Sequence, residues 1–191
     1  MFIDIEKSDV LRVFIAINFD NEIKDYIYKY QNIIKTGTKR GNFTNYENFH
    51  ITLQFLGDVE KSDIDNICDA IYNSAIRNKQ FNLNINNVGT FDKNGSSILW
   101  LGIEKNNNID KLYNTISKFL LKEGFSTKKR LLKPHITIAR EVEFYSNIKN
   151  INFKFPIENK SFIVNKITLM QSIRNDYKLI YKPLYQAELK K

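Results

Sequence analysis

Apolar residues follow two rhythms along this chain. Residues 13–17 are a short unbroken apolar run, which predicts a buried strand over 12–18. Ile23, Ile27, Tyr30 and Ile34 then recur at helical spacing, which predicts a helix capped by Asp20 or Asn21 and ending near Lys35. Gly37 and Gly41 punctuate a basic stretch read as a loop. A second strand covers 49–56 and stops at Gly57-Asp58. Ser62 is the expected cap of a helix whose inner face is Ile64, Ile67, Ile71 and Ala75. Phe81, Leu83 and Ile85 alternate with asparagines, the pattern of a half-exposed strand. Asn94-Gly95 signals a hairpin into a strand at 98–103. Asn108 is the expected cap of a helix that carries Ile109, Leu112, Ile116, Phe119 and Leu120 and ends at Gly124. A basic loop at 128–132 leads into a strand at 135–139. After a less regular stretch come two late strands, 162–170 and 177–189, with a turn near Asn175-Asp176.

One sentence of structure is written twice here. Strand, helix, basic loop and strand describe residues 12–56 and again residues 98–140. Phe14 to His50 and Leu99 to His135 are both separations of 36 positions. No Pro/Gly/Ser-rich linker separates the halves, so residues 1–191 are expected to form a single domain of two lobes packed together.

Composition narrows the setting. The chain is 42% hydrophobic and 26% charged, ordinary values for a globular domain. The net charge of +8 favours polyanionic partners, nucleic acid before anionic membrane. Lys39-Arg40, Lys128-Lys129-Arg130 and Lys190-Lys191 are small basic clusters. The single cysteine, Cys68, allows no intrachain disulfide and sits in a helical apolar pattern, as a buried structural thiol would. A reducing cytoplasm is therefore expected. The first seven residues lack the basic and apolar regions of a secretory signal. No apolar run approaches the roughly 18 residues that span a bilayer, so no membrane partner is expected.

The chemistry is concentrated in two tetrapeptides. The chain has only two histidines, and each opens an H-I-T motif: His50-Ile51-Thr52-Leu53 and His135-Ile136-Thr137-Ile138. On a strand, His50 and Thr52 share one face while Ile51 and Leu53 anchor the other. His135 and Thr137 repeat the arrangement. Two imidazoles facing across a cleft suit in-line displacement at phosphorus. One activates water, the other protonates the leaving oxygen, and the hydroxyls donate to the phosphoryl oxygens. No Cys cluster, H-x-x-x-H, H-E-x-x-H, phosphate loop or G-x-S-x-G elbow is present, and no cofactor is expected.

These motifs resemble those of the 2H phosphoesterase superfamily, defined by two H-x-[ST]-x motifs, and within it the RNA 2',3'-cyclic phosphodiesterases (2'-5' RNA ligase-like proteins). Residues 12–17, 47–57, 99–102, 133–140, 167–172 and 177–184 carry the likeness in order. The resemblance implies a bilobal α+β fold with pseudo-twofold symmetry. Each lobe would hold an antiparallel sheet with helices outside and the motifs lining a central groove. It also implies metal-independent opening of a terminal 2',3'-cyclic phosphate of RNA to a 2'-phosphomonoester. By motif position, His50 would be the proton donor, His135 the proton acceptor, and Thr52 and Thr137 the phosphate holders. Two equivalent histidines do not reveal that direction by themselves.

Some residues carry two readings. Lys133 and Arg130, in the loop before the second motif, contact RNA phosphates or belong to a solvated loop. Arg140 binds phosphate or forms a structural ion pair. In a regular strand it faces away from His135, and reaches the site only if the strand ends or bulges. Phe14, Phe49 and Trp100 stack on a base or belong to the core, the default for most of them, and none is assigned to the site. Four functions compete: hydrolysis; 2'-5' joining with a hydroxyl in place of water; action on a small cyclic nucleotide or 2'-5' oligoadenylate; and a non-catalytic RNA-binding module. A monomer is the default expectation.

Overall fold

The computed structural model describes residues 9–93, 96–126, 131–145, 151–175 and 178–191. In chain order the elements are β1 Val10–Asn18, α1 Asn21–Lys35, β2 Thr38–Phe43, β3 His50–Glu60, α2 Ile64–Ala75, β4 Phe81–Lys93 and β5 Ser96–Ile103. Then follow α3 Asn107–Lys122, β6 His135–Phe144, α4 Ile151–Lys154, β7 Lys160–Val164, β8 Lys166–Asn175 and β9 Lys178–Glu188. This is the expected α+β class.

The strands run in the order β7-β4-β5-β6-β3-β1-β8-β9, with β2 paired to β6. Every pairing between these strands is antiparallel. The two four-stranded halves meet at one residue pair, Ile51 with Ile136. Outward from this seam each half has a histidine strand (β3 or β6), then the strand preceding its helix (β1 or β5), then two more. The lobes are therefore not the two halves of the sequence. The C-terminal β8 and β9 complete the sheet of β1 and β3, while β7 extends that of β4 and β5.

Apolar periodicity explains where the core lies. Asp20 caps α1 by accepting from the Ile23 N–H at 3.0 Å, and Ile23, Ile27 and Ile34 turn inward. The inner faces of α2 and α3 join them against Ile51, Leu53, Ile136 and Ile138 in one cluster. Phe14, Ala16 and Met170 form a separate small cluster with Tyr181 packed on it. Alternation along the strands places the motif histidines and threonines on the face away from the main core.

Several boundaries differ from the sequence expectation. The basic stretch after α1 is a strand, β2, although Thr-Lys-Arg-Gly-Asn-Phe shows no apolar alternation. Its ladder partner β6 supplies what the pattern lacks. β3 continues past Gly57 because that glycine, at φ 83°, takes up a register slip against β1. A 3₁₀ turn over Lys61–Asp63 precedes α2, so Asp63 rather than Ser62 is its N-cap. The α3 cap is Asn106, which accepts from the Asn108 N–H at 2.8 Å. The expected strand over 162–170 is two strands. The chain changes lobes at Asn165, whose carbonyl accepts from Leu189 N–H at 2.7 Å. Cys68 is half-buried against the core rather than enclosed. The turns at Asn94-Gly95 and Asp176, and Lys128, Lys129 and Arg130, lie outside the described residues.

Candidate active site

His50 begins β3 and His135 begins β6, directly beside the seam. Carried one residue either way from Ile51 and Ile136, the register sets His50 across from Thr137 and Thr52 across from His135. All four side chains are half-buried. Phe49, 1% exposed, pins the approach to His50 into the core. Pro134 holds Lys133 extended before His135.

One device orients both rings. Nδ1 of His50 lies 2.7 Å from the Asn48 carbonyl oxygen, and Nδ1 of His135 lies 2.7 Å from that of Lys133. A carbonyl only accepts, so Nδ1 carries the hydrogen and the neutral ring keeps its lone pair on Nε2. For His50, Nε2 is 2.9 Å from the Thr52 hydroxyl. Aromatic rings wall each imidazole. Phe14 and Tyr181 stand 4.9 and 5.1 Å from His50. Phe91 and Trp100 stand 5.2 and 6.4 Å from His135.

Electrostatics ties these groups together. Burial pushes His50 down to about 4 against the opposing Asn48 bond, and the charges of Arg140 and His135 push the same way. Burial also lowers His135 against its Lys133 bond, and Arg140 adds to the effect. Burial raises Tyr181, while Arg140 opposes it. Arg140 is therefore felt by both histidines and by Tyr181.

A bulge explains how Arg140 comes to act here. The register of β6 on β5 slips between Thr137 and Ala139, and again between Ala139 and Val142, with Glu141 at φ 53°. β3 slips on β1 between Thr52 and Gln54. Each strand thus carries an extra residue three positions past its histidine, Leu53 or Ile138. The extra Ile138 carbonyl accepts from Thr44 N–H at 2.9 Å and from the buried Gln31 amide at 2.7 Å. Burial along the two motifs is then identical: half-buried, buried, half-buried, buried, buried, exposed. Arg140 occupies on β6 the place that Phe55 occupies on β3.

A family model for the 2'-5' RNA ligase superfamily matches residues 39–176. The chain belongs to the 2'-5' RNA ligase superfamily. It is 32% identical over 187 residues to the RNA 2',3'-cyclic phosphodiesterase of Thermotoga maritima, covering 93% of this chain and 95% of that protein. It is 29% identical to the protein of the same name from Archaeoglobus fulgidus, covering 91% and 98%. The fold matches that of E. coli LigT in apo form, with a TM-score of 0.76 at 24% identity, over 96% of this chain and 100% of that one. TT0787 of Thermus thermophilus matches with a TM-score of 0.72 at 17% identity, over 94% and 98%.

In this superfamily member a cavity of about 820 Å³ opens from His135, between β4, β5 and the first turns of α3. The exposed Lys133 lines it, and Arg130 lies outside the described residues. Among the described residues, no three His, Cys, Asp or Glu side chains gather where they could share a metal ion. No described helix is long and apolar enough to cross a membrane. Sequence reasoning missed Tyr181, Phe91, Asn48 and Gln31. Asn48 is a clamp: its amide donates to the Leu179 carbonyl at 2.7 Å and accepts from Tyr181 N–H at 3.1 Å, while its own carbonyl holds His50. Gln31 left one trace, a polar residue within the inner face of α1. Tyr181 left none, because β9 is half-exposed and lacks a distinct pattern.

Proposed function

We propose that this protein hydrolyses terminal 2',3'-cyclic phosphates of RNA or oligonucleotides to 2'-phosphomonoesters, by two-histidine acid–base catalysis that needs no metal. The observation that carries the reading is the matched pair of imidazoles beside the Ile51–Ile136 seam, each fixed through Nδ1 and both under the charge of Arg140. The names of the Thermotoga and Archaeoglobus relatives point to the same reaction.

His135 takes a proton from water on Nε2 as the oxygen attacks phosphorus. The P–O3' bond breaks, and His50 delivers the proton on its Nε2 to the departing 3' oxygen. The 2' oxygen keeps the phosphate. Thr52, Thr137 and Arg140 hold the non-bridging oxygens, whose negative charge grows in the transition state. Substrate binding itself prepares the acid, because a phosphate anion beside His50 raises its depressed pKa and so favours the charged ring. Lys133 and Arg130 contact the next phosphates of a longer strand. The protein acts as a monomeric single domain in the cytoplasm, with residues 12–56 and 98–140 as two copies of one design.

The test is an oligoribonucleotide ending in 2',3'-cyclic phosphate, incubated with the protein and excess chelator. The expected product carries a 2'-phosphomonoester. Loss of turnover with chelator contradicts the metal-free mechanism. A longer strand, formed when a 5'-hydroxyl RNA is added, identifies joining instead.

A further inference from the structure

We propose that Gln31 is a positioning residue for the phosphate site: its buried amide fixes the bulge of β6 at Ile138 and so aims the Arg140 guanidinium at the groove between the two histidines. This rests on the phosphodiesterase reading above. Gln31 lies on the inner face of α1, 3% exposed, among Ile23, Ile27, Tyr30 and Ile34. Burying an amide on an apolar face costs free energy unless its hydrogens are met. Both are met here. The side-chain nitrogen donates to the Ile138 carbonyl at 2.7 Å and to the Thr44 carbonyl at 2.9 Å. Thr44 N–H reaches the same Ile138 carbonyl at 2.9 Å.

These three bonds surround the turning point of β6. On the β5 side Trp100 pairs with Thr137 and Leu99 with Ala139, so Ile138 has no ladder partner there. Because one residue is extra, Arg140 falls on the face of His135 and Thr137 rather than on the core face. On the β2 side Arg140 pairs with Asn42, whose amide donates to Glu141 Oε2 at 2.7 Å, where the backbone takes φ 53°. Arg140 is thus set between two irregular residues of β6, each tied to a side-chain amide. Its charge is felt at His50, His135 and Tyr181.

The other copy of the design lacks this amide and keeps its fold. The shift along the chain that carries His50 onto His135 carries Leu53 onto Ile138, Phe55 onto Arg140 and Gln31 onto Ile116. α1 packs on β6, and α3 packs on β3. On α3 the place of Gln31 is filled by the fully buried Ile116, and β3 bulges at Leu53 all the same. The residue that this bulge turns outward is Phe55, 65% exposed, with no charge to aim. The amide therefore occurs on the copy whose bulge presents the arginine. A guanidinium meets an oxyanion through a rigid fork of N–H groups, so a small turn of its backbone misplaces it. A phenyl ring makes no such demand.

The test is a double-mutant cycle. Gln31→Met keeps the length of the side chain and removes both donors; Gln31→Leu is the second variant. Each is made in the parent and in Arg140→Ala, with folding checked by cooperative denaturant unfolding. On a nucleoside 2',3'-cyclic phosphate, Gln31→Met should lower kcat/KM about tenfold in the parent, the scale of one charge-assisted hydrogen bond, and less than about twofold once Arg140 is alanine. Equal losses in both backgrounds overturn the proposal. A second readout, the NMR titration of the two histidine rings, needs no turnover. Gln31→Met should raise both midpoints in the parent, as Arg140→Ala does, and neither in the Arg140→Ala background. A rise that persists without Arg140 reports lost burial instead, and it overturns the proposal, as does no rise at all. Failure of both Gln31 variants to fold assigns the residue to stability alone and overturns it too. A parent that hydrolyses no cyclic phosphate defeats the catalytic reading, while the ring titration still decides the role of Gln31.

Discussion

The His50 and His135 half-sites share one backbone plan and differ in what surrounds it. Each histidine is fixed through Nδ1 by the carbonyl two residues earlier, and each strand bulges three residues later. The floors diverge. Asn18 pairs with His50 and Ala16 with Thr52, beside the filled cluster of Phe14, Met170 and Tyr181. Gly102 pairs with His135 and Trp100 with Thr137, beside open space. At the matching end of β1, before α1, the cavity is about 410 Å³, its lining does not reach His50, and the Lys24–Glu47 ion pair lies in its wall. Its counterpart before α3 is about 820 Å³ and includes His135. The backbone plan orients the two imidazoles alike. Side-chain volume sets the two floors apart: one is filled and the other faces a cavity.

The comparison breaks hardest at the histidines themselves. His50→Ala and His135→Ala should each lower kcat by about 10²–10⁴-fold on a cyclic-phosphate oligonucleotide. The double variant should be little worse than the poorer single one, because the two act as a unit. Near-normal turnover by either single variant removes that histidine from the mechanism.

Arg140→Ala sharpens the electrostatic side. Burial is the main cause that holds both histidines below the ordinary imidazole value, and the Arg140 guanidinium pushes the same way. Removing it raises both, so both limbs of the pH profile of kcat/KM should move to higher pH. KM should also rise roughly tenfold, the scale of one charge-assisted hydrogen bond. A fall in rate with an unmoved profile would place Arg140 away from the rings.

The smallest effects separate the two orienting carbonyls. Asn48→Ala and Lys133→Ala both keep the carbonyl that holds the ring. Only Asn48→Ala also removes the clamp on Leu179 and Tyr181, so it should destabilise the fold by about 1–3 kcal/mol in denaturant unfolding and lower kcat. Lys133→Ala should instead weaken binding of longer RNA a few-fold, with a smaller salt dependence of KM.

The motif strands and the three long helices were legible because each carries its own period: alternation about His50 and His135, helical spacing from Ile23 to Ile34. What escaped depends on partners distant in the chain. β2 is a strand because β6 lies beside it, and nothing in its own residues shows this. Strict alternation turned Arg140 away from the site, and the Ile138 bulge reversed that. The bulge is supported by Gln31, 107 positions earlier. Asn106 displaced Asn108 as the α3 cap because both are asparagines in a run of three, and only backbone geometry chooses between them. The seat of Trp100 over Gly89 and Gly102 acquires meaning only once β4 and β5 are paired.

Because the chain holds only two histidines, their ring signals in an NMR titration are directly assignable by His50→Ala and His135→Ala. The decisive measurement follows both signals against pH, with and without a nucleoside 2'-monophosphate. Two imidazoles flanking one phosphorus should both begin below the ordinary value, and both should rise when the phosphate binds. A response from one ring alone, or from neither, would contradict a shared site.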